Sequence, residues 1–272
     1  MMLIAQITDT HIKLPGRLAY RQVDTSAMLK TCVDAIMALE PKPDLVVHTG
    51  DLVDFGTEAE YAHLRELLAP LDIELLAIPG NHDTRDAMRR AFSDHTHLPR
   101  DGFLQFALRR GELQIVGLDT LVPGQGGGEL CAERLSWLDA TLGTAPDVPT
   151  LILMHHPPFL TGIAHMDRIG LAGREAFAEI AARHQQTKAI LCGHVHRVIN
   201  AQVGGRAAMI CPSPAHQVAL DLTADGPSAF TLEPPGFMLH RWQDNRIVSH
   251  VVLLGDWSGP FPFFDECGRL ID

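Results

Sequence analysis

No apolar run in the 272 residues approaches the roughly 20 needed to cross a bilayer, so a helical membrane span is excluded. Positive charge is short as well. Lys and Arg total 22 against 33 Asp and Glu, a formal net charge of −11 at pH 7. Basic surface is what grips nucleic-acid phosphates, so stable nucleic-acid binding is not expected. A small anionic substrate stays open, because a local cationic centre can dominate its own cleft. Cysteine is sparse: five residues (Cys32, Cys131, Cys192, Cys211, Cys267), an odd number, widely spaced and without a CxxC pair. That pattern excludes a disulfide framework or zinc knuckle and predicts core thiols in a reducing compartment. The segment Met1-Met2-Leu3-Ile4-Ala5-Gln6 lacks the basic stretch of a secretory signal and turns polar by Thr8, so a cytoplasmic protein is expected. Gly126-Gly127-Gly128 lacks the lysine and hydroxyl residue that complete a phosphate loop. No repeat or low-complexity tract occurs.

What is present is an alternation. Apolar strand-like runs recur at 3–7, 44–47, 74–78, 113–118, 150–154 and 188–192. Helical spacing fills most of the intervals. Met28, Cys32, Ala35, Ile36 and Leu39 fall on one face of 25–39, and Thr57-Glu58-Ala59-Glu60 has the form of a capping box ahead of Tyr61, Leu64, Leu67 and Leu68. Further helices are predicted over 129–142 and 174–184. Strands alternating with helices imply a layered α/β fold, a sandwich of sheets flanked by helices. After residue 200 the pattern changes to short strand candidates at 201–203, 207–211, 218–222, 237–242 and 247–254, with no helical spacers. We therefore expect a core over 1–200 and a small, mainly β C-terminal cap section over 201–272.

Histidine is abundant, with 15 residues in an acidic chain. Five polar clusters stand at or just beyond predicted strand ends: Asp9-Thr10-His11, Gly50-Asp51, Gly80-Asn81-His82-Asp83, His155-His156 and Gly193-His194-Val195-His196. Each alone is an ordinary turn or a chance pair. Together they matter, because the strand ends of open sheets converge on one crevice. Asp94-His95-Thr96-His97 is equally rich in ligand atoms but follows a helix rather than a strand, and reads as a solvated loop. His48, inside a predicted strand, reads as structural.

The ordered set D-x-H, G-D, G-N-H-D, a strand-end His and G-H-x-H resembles the binuclear metallophosphoesterases of the calcineurin-like superfamily over roughly residues 3–200. Chain length, compact spacing and the segment PSPAHQVAL resemble its class III branch of cyclic-nucleotide phosphodiesterases and glycerophosphodiesterases. The resemblance implies that Asp9, His11 and His196 hold one divalent ion, that Asn81, His155 and His194 hold a second, and that Asp51 bridges both. Imidazole and oxygen ligands without thiolate suit Fe, Mn, Zn or Co. Asn81, a neutral ligand, implies a weaker second site.

Two divalent ions less the charges of Asp9 and Asp51 leave +2, and a bridging hydroxide leaves +1, still attractive to a singly charged diester. The implied activity is hydrolysis of small phosphodiesters. His82 and His216 are the candidates for contacting phosphate or protonating the leaving group. On the residues alone, His216 is a surface histidine in a Pro-rich turn; the resemblance makes it substrate-side. Tyr20 is a candidate pocket-shaping residue, His156 a supporting one, and Asp83 an anchor for its turn or for a histidine. Two alternatives stand beside this reading. One is a phosphatase or nuclease of the same superfamily, which the net charge opposes for nucleic acid. The other is a non-catalytic metal-binding scaffold, which predicts lost ligand positions. The resemblance also implies dimerisation through the C-terminal section, where Phe261-Pro262-Phe263-Phe264 either pairs with a second copy or folds back on its own core.

Overall fold

Alternate residues of the first strand face two different apolar layers. Ala5 and Ile7 pack with Leu29, Val33, Tyr61 and Leu64, whereas Ile4 packs with Val47, Leu76, Ile115 and Leu151. A strand buried on both faces has no polar alternation, and this is why these segments read as continuous apolar runs.

The computed structural model describes residues 1–271. The first part of the chain runs β1 (Met2–Ile7), α1 (Thr25–Met37), β2 (Leu45–His48), α2 (Glu58–Leu68), β3 (Leu75–Ala77) and α3 (Arg85–Ala91). Next come β4 (Phe106–Arg110), β5 (Leu113–Gly117), β6 (Gly128–Glu129), α4 (Ala132–Gly143), β7 (Thr150–Leu153) and α5 (Ala164–Asp167). They are followed by β8 (Leu171–Ala172), α6 (Arg174–Arg183) and β9 (Thr187–Cys192). The remainder is β10 (Ile199–Val203), β11 (Arg206–Ile210), β12 (Gln217–Val218), β13 (Phe230–Thr231), β14 (Gly236–Gln243) and β15 (Arg246–Leu253).

Two sheets result, in the orders β15-β14-β1-β2-β3 and β10-β11-β9-β7-β5-β4. β1, β2 and β3 are parallel, as are β5, β7, β9 and β11. Ile4, Val47 and Leu76 meet Ile115, Leu153 and Leu191 between the sheets. Helices α1 to α3 cover the outer face of the first sheet. Leu138 of α4 and Phe177 and Ile180 of α6 cover Val116, Ile152 and Ile190 of the second. Each fully buried aliphatic side chain contributes about 1.5–3 kcal/mol to this four-layer stack. The expected layered α/β sandwich is the fold observed, and among the described residues no helix is long and apolar enough to cross a membrane.

The cap at α2 forms as its sequence implies. Thr57 and Glu60 exchange the two hydrogen bonds of a capping box, and Glu60 Oε2 also accepts the backbone N–H of Phe55. Downstream of residue 200 the strands are not set apart. β10 and β11 extend the second sheet, and β14 pairs antiparallel with β1.

Several expectations need correction. Of the five cysteines read as core thiols, Cys267 is exposed and Cys131 only half-buried. The strand foreseen over 218–222 is only Gln217–Val218, because Leu220 and Leu222 are exposed rather than packed. The loop at 94–97 is not simply solvated: His95 and His97 are half-buried, with the His97 ring edge-on to Phe106 at 4.7 Å. Of the two readings of the aromatic tail, folding back on the core is not what is seen: Phe261, Phe263 and Phe264 are 74%, 78% and 57% exposed.

Candidate metal centre

The five strand-end clusters meet at one place. β1 delivers Asp9 and His11, β2 delivers Asp51, β3 delivers Asn81 and His82, β7 delivers His155, and β9 delivers His194 and His196, so both sheets feed one crevice at their carboxyl ends. The turns that do this are strained. Asp9, His11, Asp51, His194 and His196 have φ of +52°, +42°, +53°, +73° and +56°. Left-handed backbone at a non-glycine residue costs on the order of 1–3 kcal/mol and concentrates where geometry serves a site. Neighbouring backbone fixes it: Asp9 N donates to Gly50 O at 2.9 Å and His11 N to Asp51 O at 3.1 Å. Two glycines allow the close approach. A Cβ at Gly80 would strike the Asp51 carboxylate and backbone, and one at Gly50 (φ +97°) would lie 2.5 Å from His155 Nδ1.

Two nests of ligand atoms form within this crevice. In one, His11 Nε2 lies 3.2 Å from His196 Nε2 and 3.6 Å from Asp51 Oδ2, and His196 Nε2 lies 3.4 Å from Asp9 Oδ1. In the other, Asn81 Oδ1 lies 3.1 Å from His155 Nε2 and 3.0 Å from His194 Nδ1, while Asp51 Oδ2 is 3.4 Å from His155 Nε2. Asp51 therefore touches both groups.

The far side of each ring decides what faces inward. His11 Nδ1 donates to Asp54 Oδ1 (3.2 Å), His155 Nδ1 to Thr49 O (2.8 Å), His194 Nε2 to Ile169 O (3.0 Å) and His196 Nδ1 to His216 O (3.1 Å). Those partners only accept, so the inward nitrogen of each neutral ring carries a lone pair. With Asp9, Asp51 and Asn81 Oδ1 added, the side chains of both nests converge as acceptors when the rings are neutral, while the backbone N–H groups of His194 and His82 donate to Asp9 and Asp51. Such a set fits divalent cations, and the outer acceptors are the partners that fix tautomer and ring orientation in metal sites.

Titration reflects the same arrangement. Burial pushes the Asp9 carboxyl up to about 6. Burial also opposes charge on Asp51, yet the surrounding His155 and His82 hold its carboxyl well below the usual range. Burial disfavours charge on His155 too, but Asp51 outweighs it and lifts the imidazole to about 9, so with no cation in the nest its Nε2 holds a proton that a bound metal would displace. His194 has weaker carboxylate support and is pushed by burial down to about 3.

The remaining candidates fall around the nests. His82 donates from Nδ1 to Asp54 O at 2.8 Å, and its backbone N–H reaches Asp51 Oδ1 at 2.8 Å. His216 is buried, contrary to the surface reading, with its ring 4.6 Å from His196 and 5.7 Å from His11. Burial lowers its imidazole to about 3. Tyr20 lies against His216 and Phe230, at ring separations of 5.2 and 4.9 Å. Asp83 anchors its turn, not a histidine: it accepts Gly80 N, Leu52 N and the Tyr61 hydroxyl at 2.8, 3.1 and 2.7 Å. His156 packs beside His155 and His194, but both its nitrogens are committed, Nε2 to Gly126 O (3.1 Å) and Nδ1 to Thr120 Oγ1 (2.8 Å). His48 is buried and bonds Thr10 Oγ1 at 3.0 Å.

Sequence reasoning missed Asp54, Ile169 and His165. Asp54 stands only three residues after Asp51 and belongs to none of the five clusters. Ile169 acts through a backbone carbonyl, and such a role leaves no mark on side-chain identity. His165 enters the crevice from α5, a four-residue helix with no periodic signal.

The family model described as calcineurin-like phosphoesterase matches residues 2–198. The chain is 40% identical over 273 residues, covering 100% of both sequences, to a probable glycerophosphodiester phosphodiesterase (GpdQ) of Arcobacter nitrofigilis. It is 32% identical over 253 residues, 89% of this chain and 90% of the relative, to the 3',5'-cyclic adenosine monophosphate phosphodiesterase CpdA of Escherichia coli K12. Among solved structures, a dimetal phosphatase from Danio rerio superposes with a TM-score of 0.68 at 16% identity, covering 93% of this chain and 98% of that one.

Proposed function

The chain belongs to the calcineurin-like phosphoesterase family, and from that premise we propose that it is a dimetal hydrolase of small phosphodiesters of the glycerophosphodiester or cyclic-nucleotide type. The observation that carries the reading is the pair of all-acceptor nests joined by Asp51, each imidazole locked from behind by an oxygen. A non-catalytic scaffold predicts lost ligand positions, and all seven here keep competent residues.

Asp9, His11 and His196 would hold one ion, Asn81, His155 and His194 the other, and Asp51 both. Bound Fe, Mn, Zn or Co ions supply positive charge to the phosphate and make a water nucleophilic at neutral pH. His82 commits Nδ1–H to Asp54 O, so Nε2 is the edge free to meet substrate, and it can pass a proton to the departing alkoxide only when the ring is doubly protonated. His216, held neutral by burial, suits a ring N–H donor to a phosphate oxygen better than an acid. Asn81 and His82 also line two adjoining cavities of about 420 and 670 Å³, which supports a substrate with an organic group on either side of phosphorus.

Residues 201–272 complete the site through His216 and Phe230 in this reading. Exposed Phe261, Phe263 and Phe264 are our proposed homodimer contact; a monomer at every concentration in sedimentation would exclude it. The five free thiols support a cytoplasmic enzyme, which cell fractionation tests. For the activity itself, the protein reconstituted with each metal is assayed on glycerophosphodiesters, cyclic nucleotides, aryl diesters and monoesters. Diester turnover well above monoester turnover is expected, and the reverse order would make it a phosphatase.

A further inference from the structure

The smaller cavity, about 420 Å³, opens directly on the nests, with His11, Asp51, Asn81, His194 and His196 on one side and, on the other, a wall to which no role has been given above. Tyr20, His165 and Ser228 line it, and none of the three makes a side-chain hydrogen bond among the described residues. Met166, Ile169 and Phe230 supply apolar surface between them. Tyr20 and Ser228 are open to water, which satisfies them. His165 is half-buried, and its ring nitrogens make no hydrogen bond to the described residues.

His165 also stands on a fixed platform. Asp167 accepts Thr161 N, Thr161 Oγ1 and Gly162 N at 2.8, 2.8 and 2.9 Å, pinning the turn that enters α5. At the other end Ile169 O receives His194 Nε2, which ties the same segment to the nest. An imidazole held at both sides yet free at its own nitrogens is placed to bind something in the cavity. Mixed donor, acceptor and apolar surface matches a short carbon chain bearing hydroxyls better than a bare alkyl or aryl group. A site that hydrogen-bonds a hydroxyl rejects the analogue without it, because its own polar groups are then left unpaired.

We propose that this cavity is the subsite for a hydroxylated ester arm and that His165 is the side chain that reads its hydroxyl. The inference rests on the phosphodiesterase reading but is tested without turnover. Metal-loaded protein is titrated calorimetrically with glycerol 3-phosphate and with ethyl phosphate, which share the phosphate and differ in hydroxyls. Wild type should prefer the first by about tenfold or more, the worth of one well-placed hydrogen bond. His165→Ala should erase about tenfold of that preference at unchanged metal content, and His165→Gln, which keeps a donor and an acceptor, should restore most of it. No preference in wild type, or equal loss of affinity for both ligands in His165→Ala, overturns the subsite. Binding of neither phosphate would instead strike the phosphodiesterase reading on which it stands.

Discussion

His11 and His196 bring their Nε2 atoms to 3.2 Å of each other while each donates its other nitrogen outward, to Asp54 and to the backbone carbonyl of His216. Two lone pairs at that distance repel unless a proton or a metal cation sits between them. Asp54 is therefore part of the metal account, although it touches no ligand-facing atom. Asp54→Ala should lower the affinity of the first site by about 10–100-fold, as loss of an outer partner commonly does. Chelator competition measures it, and an unchanged affinity would mean that His11 is oriented by its surroundings alone.

The two nests share the Asp51 carboxylate. Asn81→Ala should weaken one ion while the other persists; Asp51→Ala should impair both, and should also loosen His82, whose backbone N–H it accepts. Metal analysis after limited dialysis separates the cases. Loss of the same single ion in both variants would refute the assignment.

Replacing His82 or His216 by Ala should leave metal content near wild type while slowing turnover. If His82 protonates the alkoxide, its removal should cost about 10²–10⁴ in rate on alkyl diesters and far less on nitrophenyl esters, whose leaving group needs little protonation. His216, a neutral donor, should slow both esters alike. The split between the substrates distinguishes the two roles.

Acid should destabilise the fold through His240, which lies away from the nests. It is fully buried between Gln6 Oε1 (3.0 Å) and Ser249 Oγ (2.7 Å), and burial lowers its imidazole to about 3. A histidine with a depressed folded pKa binds its proton mainly when unfolded. Its stabilising effect is thus complete above about 6.5 and is lost as pH falls from there toward 3. Between pH 7.5 and 5 this amounts to about 2 kcal/mol. Urea unfolding in chelator should show a shallower pH dependence for His240→Asn, and an identical slope would contradict it.

Much of this was legible in the sequence because parallel strands advertise themselves twice, as apolar runs and as the polar residues that end them. β1, β2, β3, β7 and β9 were found that way, and so were the residues they carry. The capping box at Thr57 and Glu60 was a purely local signal and formed as read. What stayed hidden acts through the backbone or at a distance. Ile169 O and His216 O orient rings through carbonyls that any residue possesses, and His216 packs against Phe230 and against Tyr20, which is far away along the chain. Periodicity has little hold on β4, whose outward face carries Arg109, or on α5, only one turn long. The strand expected at 218–222 failed for a related reason: Leu220 and Leu222 are apolar but find no layer to pack against.

The most direct test is to strip the protein of metal and follow hydrolysis of bis(4-nitrophenyl) phosphate while Mn is added back in known equivalents. Activity should be absent at the start and should rise to a plateau near two equivalents per chain, with Asn81→Ala needing a large excess to reach its own plateau. Full turnover in exhaustively stripped protein, or a plateau at one equivalent, would contradict a centre built on two ions bridged by Asp51.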